Sequence, residues 1–312
     1  MDVGTLIVTF STRFLGIFIE AVSFLLLGTL ISGLIGVFIS NDDMARLVPK
    51  NPIAATLVGS MLGFIFPVCE CGVVPVTRRL YQKGLPVSVG ITFLLAAPVM
   101  NPIVLAGTYA AFGFGPVLIG RFVISWIMAV TVGLLFALQT RPQRLIRAEA
   151  LPTLAGGSGV VNIAVTPTTP SQRPALVPGL LQALKLAGDE FFEMGRYLVI
   201  GAFLASVMQT FVSQDSLKAL ATNPVNSVLV MAGLAFLLSV CSTVDAFLAL
   251  SFARTFTTGS ILTFLTFGPM VDIKSTMMYL SVFKRRTVAY MVILPFLISV
   301  LIGIWLNLNV RF

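Results

Sequence analysis

Residues Thr12 to Ile39 form a nearly uninterrupted apolar run. About 20 apolar helical residues, rising 1.5 Å each, cross the ~30 Å hydrocarbon layer of a bilayer, so this stretch is long enough to be one spanning helix. Pro116 to Leu138, Phe191 to Val212 and Val288 to Leu308 read the same way. The start of the chain lacks a run of positive charge before a short apolar core and lacks a small-residue cleavage site, so the first run is expected to be a retained helix and not a removable signal. Of the 312 residues 57% are hydrophobic and only 10% charged, whereas a soluble domain is about a quarter charged. Such a chain cannot cover a soluble fold with polar surface. It is expected to be an integral, multi-pass membrane protein, which excludes a cytosolic enzyme, a secreted disulfide scaffold and an ordinary nucleic-acid binder. The net charge of +8 then reads as topology signals in loops.

Two halves are visible. Phe18 to Ser40 aligns with Phe191 to Ser213, placing Glu20 on Glu193 and Gly28 on Gly201. Asn51-Pro52 falls on Asn223-Pro224, Cys69 on Cys241, Pro98 on Pro269, Asn101 on Asp272 and Gly133 on Gly303. The register drifts by only a few residues over this length, which chance apolar similarity would not maintain. Between the halves stand Arg141, Arg144 and Arg147, the run Gly156 to Gly159 and a Thr/Pro/Ser stretch, the composition of a flexible polar connector. The expected organisation is a first transmembrane repeat over 1–140, a cytoplasmic linker over 141–185 and a second repeat over 186–312. Duplication of a membrane half is the usual plan of secondary transporters, whose solute sits near midplane between discontinuous helices.

The remaining apolar segments are interrupted. Helix breaks are expected at Pro67, Gly72 and Pro75, at Pro98 and Pro102, and at Pro269. Counted from the basic turn Arg78-Arg79 to Lys83-Gly84, the first-half breaks lie roughly 10–20 Å into the membrane. Freed backbone is tolerated there only when buried in protein or lining a wet cavity. The same arithmetic brings Cys241 to Asp245 and Gly268 to Lys274 to that depth. Four crossings per half would make the repeats parallel. A re-entrant hairpin over 51–84 would leave three and make them inverted, gathering Arg46, Lys50, Arg78, Arg79, Lys83, the linker arginines and Lys284 to Arg286 on one side. The positive-inside rule favours the second arrangement, with the linker cytoplasmic and both termini outside. The expected fold is therefore all-α and polytopic, two homologous repeats with broken or re-entrant helices meeting near the midplane.

The predicted centre collects Cys69, Cys71 and Cys241 with Glu70, Asn101, Ser242, Thr243, Asp245, Asp272 and Lys274. Thiolates select soft, thiophilic species over hard cations, so the three sulfurs, with Asn101, Ser242 and Thr243, are candidate solute ligands. Free cysteines are also commonly small buried hydrophobes, and both readings stand. Glu70, Asp245 and Asp272 are candidate proton carriers near Lys274, or members of a static ion pair with it. With no histidine in the chain, a coupling proton would ride on a carboxylate, and imidazole ligation of haem or zinc is excluded. No resident metal or cofactor is expected. The absence of a GxxxxGK[ST] loop argues against ATP-driven transport by this chain. A channel or accessory subunit and a dithiol redox enzyme remain alternatives, the last weakened by the close CxC spacing. A homo-oligomer is compatible with all of these.

The run FPVCECGVVPVTRRLYQKGLPVSVGITFLLAAPVMNPIVL, Phe66 to Leu105, resembles the signature of the predicted permease family once called DUF318, which includes organoarsenical exporters of the ArsP type. The resemblance implies a bacterial inner-membrane permease and, in its arsenical branch, efflux of trivalent organoarsenicals such as methylarsenite through cysteines. Cys69 and Cys71 match the family's cysteine positions. Pro102 has no counterpart in the second half, where Ile273 stands, and that half carries one cysteine.

Overall fold

A computed structural model describes residues 3–40, 43–44, 46, 48–49, 51–66, 68–138, 145–146, 176–211, 223–253 and 255–309. The first half contains α1 (Val3–Phe38), α2 (Pro52–Ile65), α3 (Glu70–Gln82), α4 (Val87–Met100), α5 (Pro102–Phe112) and α6 (Pro116–Ala137). The second contains α7 (Leu176–Phe211), α8 (Pro224–Leu238), α9 (Asp245–Phe252), α10 (Thr258–Phe267), α11 (Ile273–Val282) and α12 (Arg285–Asn309). Among the described residues, Gly4–Phe38, Val87–Phe112, Pro116–Ala137, Leu176–Phe211 and Arg285–Asn309 are long and apolar enough to cross a membrane. The fold is all-α and multi-spanning. α7 starts at Leu176, inside the stretch expected to be linker, because the residues after Pro174 are mostly apolar and free of helix breakers except Pro178 and Gly179 in its first turn. Of the linker arginines, Arg141, Arg144, Arg147 and Arg173 lie outside the described residues, as do Lys50, Pro67 and Arg254.

The breaks follow the residue before a proline more than the proline itself. Pro102 disfavours helix at the preceding position, and Asn101 is extended (φ −68°, ψ 152°). Phe66, before Pro67, is extended too (φ −85°, ψ 112°). Gly72 and Pro75, by contrast, lie inside α3, and Pro98 lies inside α4, so the chain does not unwind at these three positions. Both helices are almost wholly buried, and dense packing outweighs the single backbone hydrogen bond that each proline removes. In the second half α8 ends on left-handed Ser239 (φ 47°), while Pro269 lies in the turn between α10 and α11. Asn101 and Asp272, aligned in the sequence, both cap a helix. The Asn101 side chain accepts from the Val104 amide at 3.0 Å, and Asp272 accepts from the Ser275 amide at 2.6 Å in a capping box.

Side-chain contacts give the directions of the helices. α1 and α7 run antiparallel: Phe10 meets Phe203 with ring centroids 5.5 Å apart, Arg13 donates to the Gln209 carbonyl, and Ser32 donates to Glu190 at the other end. α2 runs parallel to α4, with Gly59 against Val89 and Thr92 and Gly63 against Ala96 and Ala97. The turn at Gly84 (φ +94°) sends α4 back along α3, and the Tyr81 hydroxyl closes that turn on the Val87 carbonyl at 3.2 Å. The second half repeats the pattern. Ser227 and Ser260 hydroxyls lie 2.8 Å apart and Ala235 packs on Gly268, so α8 is parallel to α10, while α9 returns along α10 through Phe252 and Phe264.

Candidate functional site

The site lies where short helices from the two halves begin. α3 packs on α11 and α5 on α9, each contact joining one half to the other. Cys69 is the N-cap residue of α3 and Cys71 belongs to its first turn. Cys241 precedes α9, and its carbonyl accepts the amide of Asp245 at 3.1 Å. All three cysteines are free and buried.

The ligand atoms of Cys69, Glu70 and Cys241 all lie within 4.8 Å of one another. Of the three sulfurs expected at the centre, this group holds one from each half. Cys71 is within hydrogen-bonding reach of Cys69, but the sulfur grouped with Cys69 and Glu70 comes from the other half. Thr243 donates its hydroxyl to the Cys241 sulfur at 3.5 Å. Ser242 is buried beside it, its hydroxyl without a hydrogen-bond partner among the described residues.

Lys274 supplies the positive charge of this centre. Its Nζ stands 3.3 Å from Glu70 Oε1 and 3.7 Å from Asp272 Oδ2, and all three residues are buried. Glu70 Oε2 has no hydrogen-bond partner among the described residues. Asn101 is close-packed and satisfied by its own helix ends, donating to the Ala97 carbonyl at 2.9 Å as well as capping α5.

Asp245, expected beside the cysteines, engages a residue whose role the sequence reading missed. Arg121 of α6 is wholly buried and donates to both Asp245 carboxylate oxygens, at 2.9 and 2.7 Å, and to neighbouring Thr108 at 2.8 Å. The signal was one arginine inside an otherwise apolar span, since an ionisable group within a membrane helix seldom lacks a partner. Arg78 and Arg79, read from the sequence as a basic turn marking one side of the membrane, reach across to α7: Arg78 pairs with Glu193 at 2.6 Å and Arg79 with Glu190 at 3.3 Å.

A multi-spanning helical fold with matching contacts in its two halves and a buried polar centre between them defines a membrane transport protein. The chain matches the family described as "Predicted permease" (ArsP_1) over residues 7–308, and it belongs to that family. It is a multi-pass inner-membrane protein of a permease family, not of an enzyme family. It is 42% identical over 295 residues to UPF0718 protein YcgR of Bacillus subtilis, covering 93% of this chain and 94% of that protein. Similarity also extends, at 39% identity over 278 residues, to a Streptococcus mutans protein provisionally named as a subunit of a two-component membrane permease complex, covering 88% of this chain and 86% of that one. No solved structure matches the chain.

Proposed function

We propose that the chain is a secondary permease that exports a small thiophilic solute, such as a trivalent organoarsenical, through a centre built on Cys69 and Cys241. The observation that carries this reading is the approach of two sulfurs from opposite halves to one carboxylate. A site shared by two halves can open to either side as they rock against each other. Cys71 and Thr243 lie beside the two sulfurs, and Ser242 and Asn101 are kept in this reading as further candidate contacts to the solute.

The halves are inverted repeats in this reading, each with a re-entrant hairpin, α2–α3 and α8–α9. Support comes from the antiparallel course of α1 and α7, and from helices α2 and α8 that run parallel to α4 and α10 while α3 and α9 return. Leu145 and Ile146 of the linker bind the start of α12, where the Leu145 carbonyl accepts from the Lys284 amide at 3.1 Å. This agrees with a linker on the side of Lys284 to Arg286 and of Arg78 and Arg79, the cytoplasmic side by the positive-inside rule.

Glu70 is the carboxylate best suited to carry a coupling proton. Asp272 is committed to a capping box and Asp245 to a bidentate arginine, whereas one Glu70 oxygen is uncommitted among the described residues. Methylarsenite flux into everted vesicles tests the reading. Flux should be saturable, depend on a pH gradient and fall to background in Cys69→Ser and in Cys241→Ser. Undiminished flux in the double variant overturns the thiolate mechanism. The Streptococcus mutans relative's name favours a second reading, a subunit that needs a partner; purified protein that transports by itself in liposomes counts against it.

A further inference from the structure

We propose that Cys69, Cys241 and Glu70 bind a thiophilic divalent cation with release of both thiol protons, so that one cation exchanges for two protons at the membrane centre. The inference rests on the reading of this centre as the solute site and names a second class of solute for it.

The donor set comes first. Two sulfurs and one carboxylate oxygen within 4.8 Å of one another match what a borderline-soft ion such as zinc or cadmium takes. Around a tetrahedral ion with ~2.3 Å metal–sulfur bonds, two sulfurs stand about 3.8 Å apart, inside that limit. Three protein ligands leave one coordination position open, as in sites that exchange what they hold. The second observation is independent of the sulfurs: Glu70 is 1% exposed, and its Oε2 has no hydrogen-bond partner among the described residues. A buried carboxylate oxygen left this way carries a desolvation cost that a bound cation would remove.

Charge decides the stoichiometry. The titratable groups facing the centre are Cys69, Cys71 and Glu70 of the α3 start, Cys241 ahead of α9, and Asp272, Lys274 and Tyr279 of the α11 region. Glu70 enters the site as the carboxylate already paired with Lys274 at 3.3 Å, so the protons displaced by the cation are those of the two ligating thiols. Binding M²⁺ while Cys69 and Cys241 lose their protons adds two positive and two negative charges, and the net charge is unchanged. At the centre of a bilayer, where an uncompensated charge costs several kcal/mol, this electroneutral exchange is the favourable way to load the site.

The two solute classes differ in what they release. A trivalent organoarsenical diol condensing with two thiols forms two As–S bonds and frees two waters, with no net proton. A divalent cation forms two metal–thiolate bonds and frees two protons.

The experiment is calorimetric titration of the purified full-length protein in detergent with cadmium chloride, repeated in two buffers of different protonation enthalpy, with ultraviolet absorbance followed for the sulfur-to-cadmium band. One cadmium per chain, two protons released and a two-thiolate band are expected. Cys69→Ser and Cys241→Ser should each lose the two-thiolate band. Glu70→Gln should weaken binding about tenfold or more, since even outer-sphere partners are worth that much, while still releasing two protons. Circular dichroism verifies that each variant is folded, and the wild-type proton count stands without any variant. No binding, binding unchanged in the Cys69→Ser/Cys241→Ser variant, or proton release near zero overturns the proposal. Methylarsenite flux without cadmium binding would leave the permease reading intact and remove the cation site. Cadmium binding in a protein that moves no solute would do the reverse.

Discussion

Arg121 and Asp245 meet through two hydrogen bonds of 2.9 and 2.7 Å in a fully buried bidentate pair that joins the first half of the chain to the second. In the register that aligns the halves, the position equivalent to Arg121 is Met291 and the position equivalent to Asp245 is Val73. One half therefore carries an ion pair where the other carries two apolar side chains. Buried pairs often contribute no more than a well-packed apolar replacement, whereas removing one partner strands a charge.

Arg121→Met is accordingly expected to destabilise the protein by about 3–5 kcal/mol, read as a large fall in thermal midpoint in detergent. The double variant Arg121→Met/Asp245→Val should recover most of that loss. If the double variant is as unstable as the sum of the singles, the two residues do not act as a pair.

The contacts between α1 and α3 and between α7 and α11 depend on glycine. A Cβ on Gly72 would stand 2.9 Å from the Phe24 carbonyl oxygen, and one on Gly201 would stand 2.9 Å from the Lys274 Cα. Backbone cannot withdraw as a flexible side chain can, so Gly72→Ala and Gly201→Ala should each cost about 1–3 kcal/mol. Gly16→Ala, with nothing within 4 Å of the added carbon, should be neutral or slightly stabilising. Equal midpoints for Gly72→Ala and Gly16→Ala would contradict this packing.

The two aligned caps should differ in weight. Asn101→Ala removes a helix cap worth about 1 kcal/mol. Asp272→Ala removes a cap and also one of the two carboxylates beside Lys274, and should cost more. Urea or thermal unfolding of the two variants compares them directly, and a smaller loss in Asp272→Ala would show that Lys274 does not draw on Asp272.

The inverted arrangement is tested by single cysteines introduced at Gln143 and Gln214 in a cysteine-free background. They should label from opposite sides of the membrane with an impermeant maleimide. Labelling of both from one side would falsify the three-crossing topology.

How far residues foretell structure varies along this chain. The span Pro116–Ala137 is legible because an apolar stretch of that length has one low-energy solution in lipid, a helix that satisfies its own backbone. The breaks are only half legible. Six positions carry helix-breaking chemistry, yet Gly72, Pro75 and Pro98 stay helical, since burial of α3 and α4 on all sides outweighs a local preference. The centre was legible as a set, because sulfur, carboxylate and lysine at one depth of a membrane need one another. Its pairing was not: Cys69 and Glu70 meet Cys241 of the other half, and Asp245 finds Arg121.

The sequence by itself determined that this chain lives in a bilayer and that most of its buried ionisable groups lie near the breaks. These follow from composition and length, each of which acts locally along the chain. Tertiary structure alone decided which half-helices face each other, and with them which sulfur, carboxylate and cation become partners. Lys274 reaches Glu70 across a sequence separation of 204 residues, and Arg121 reaches Asp245 across 124. Such contacts depend on how two halves dock in three dimensions, which no local pattern of residues encodes.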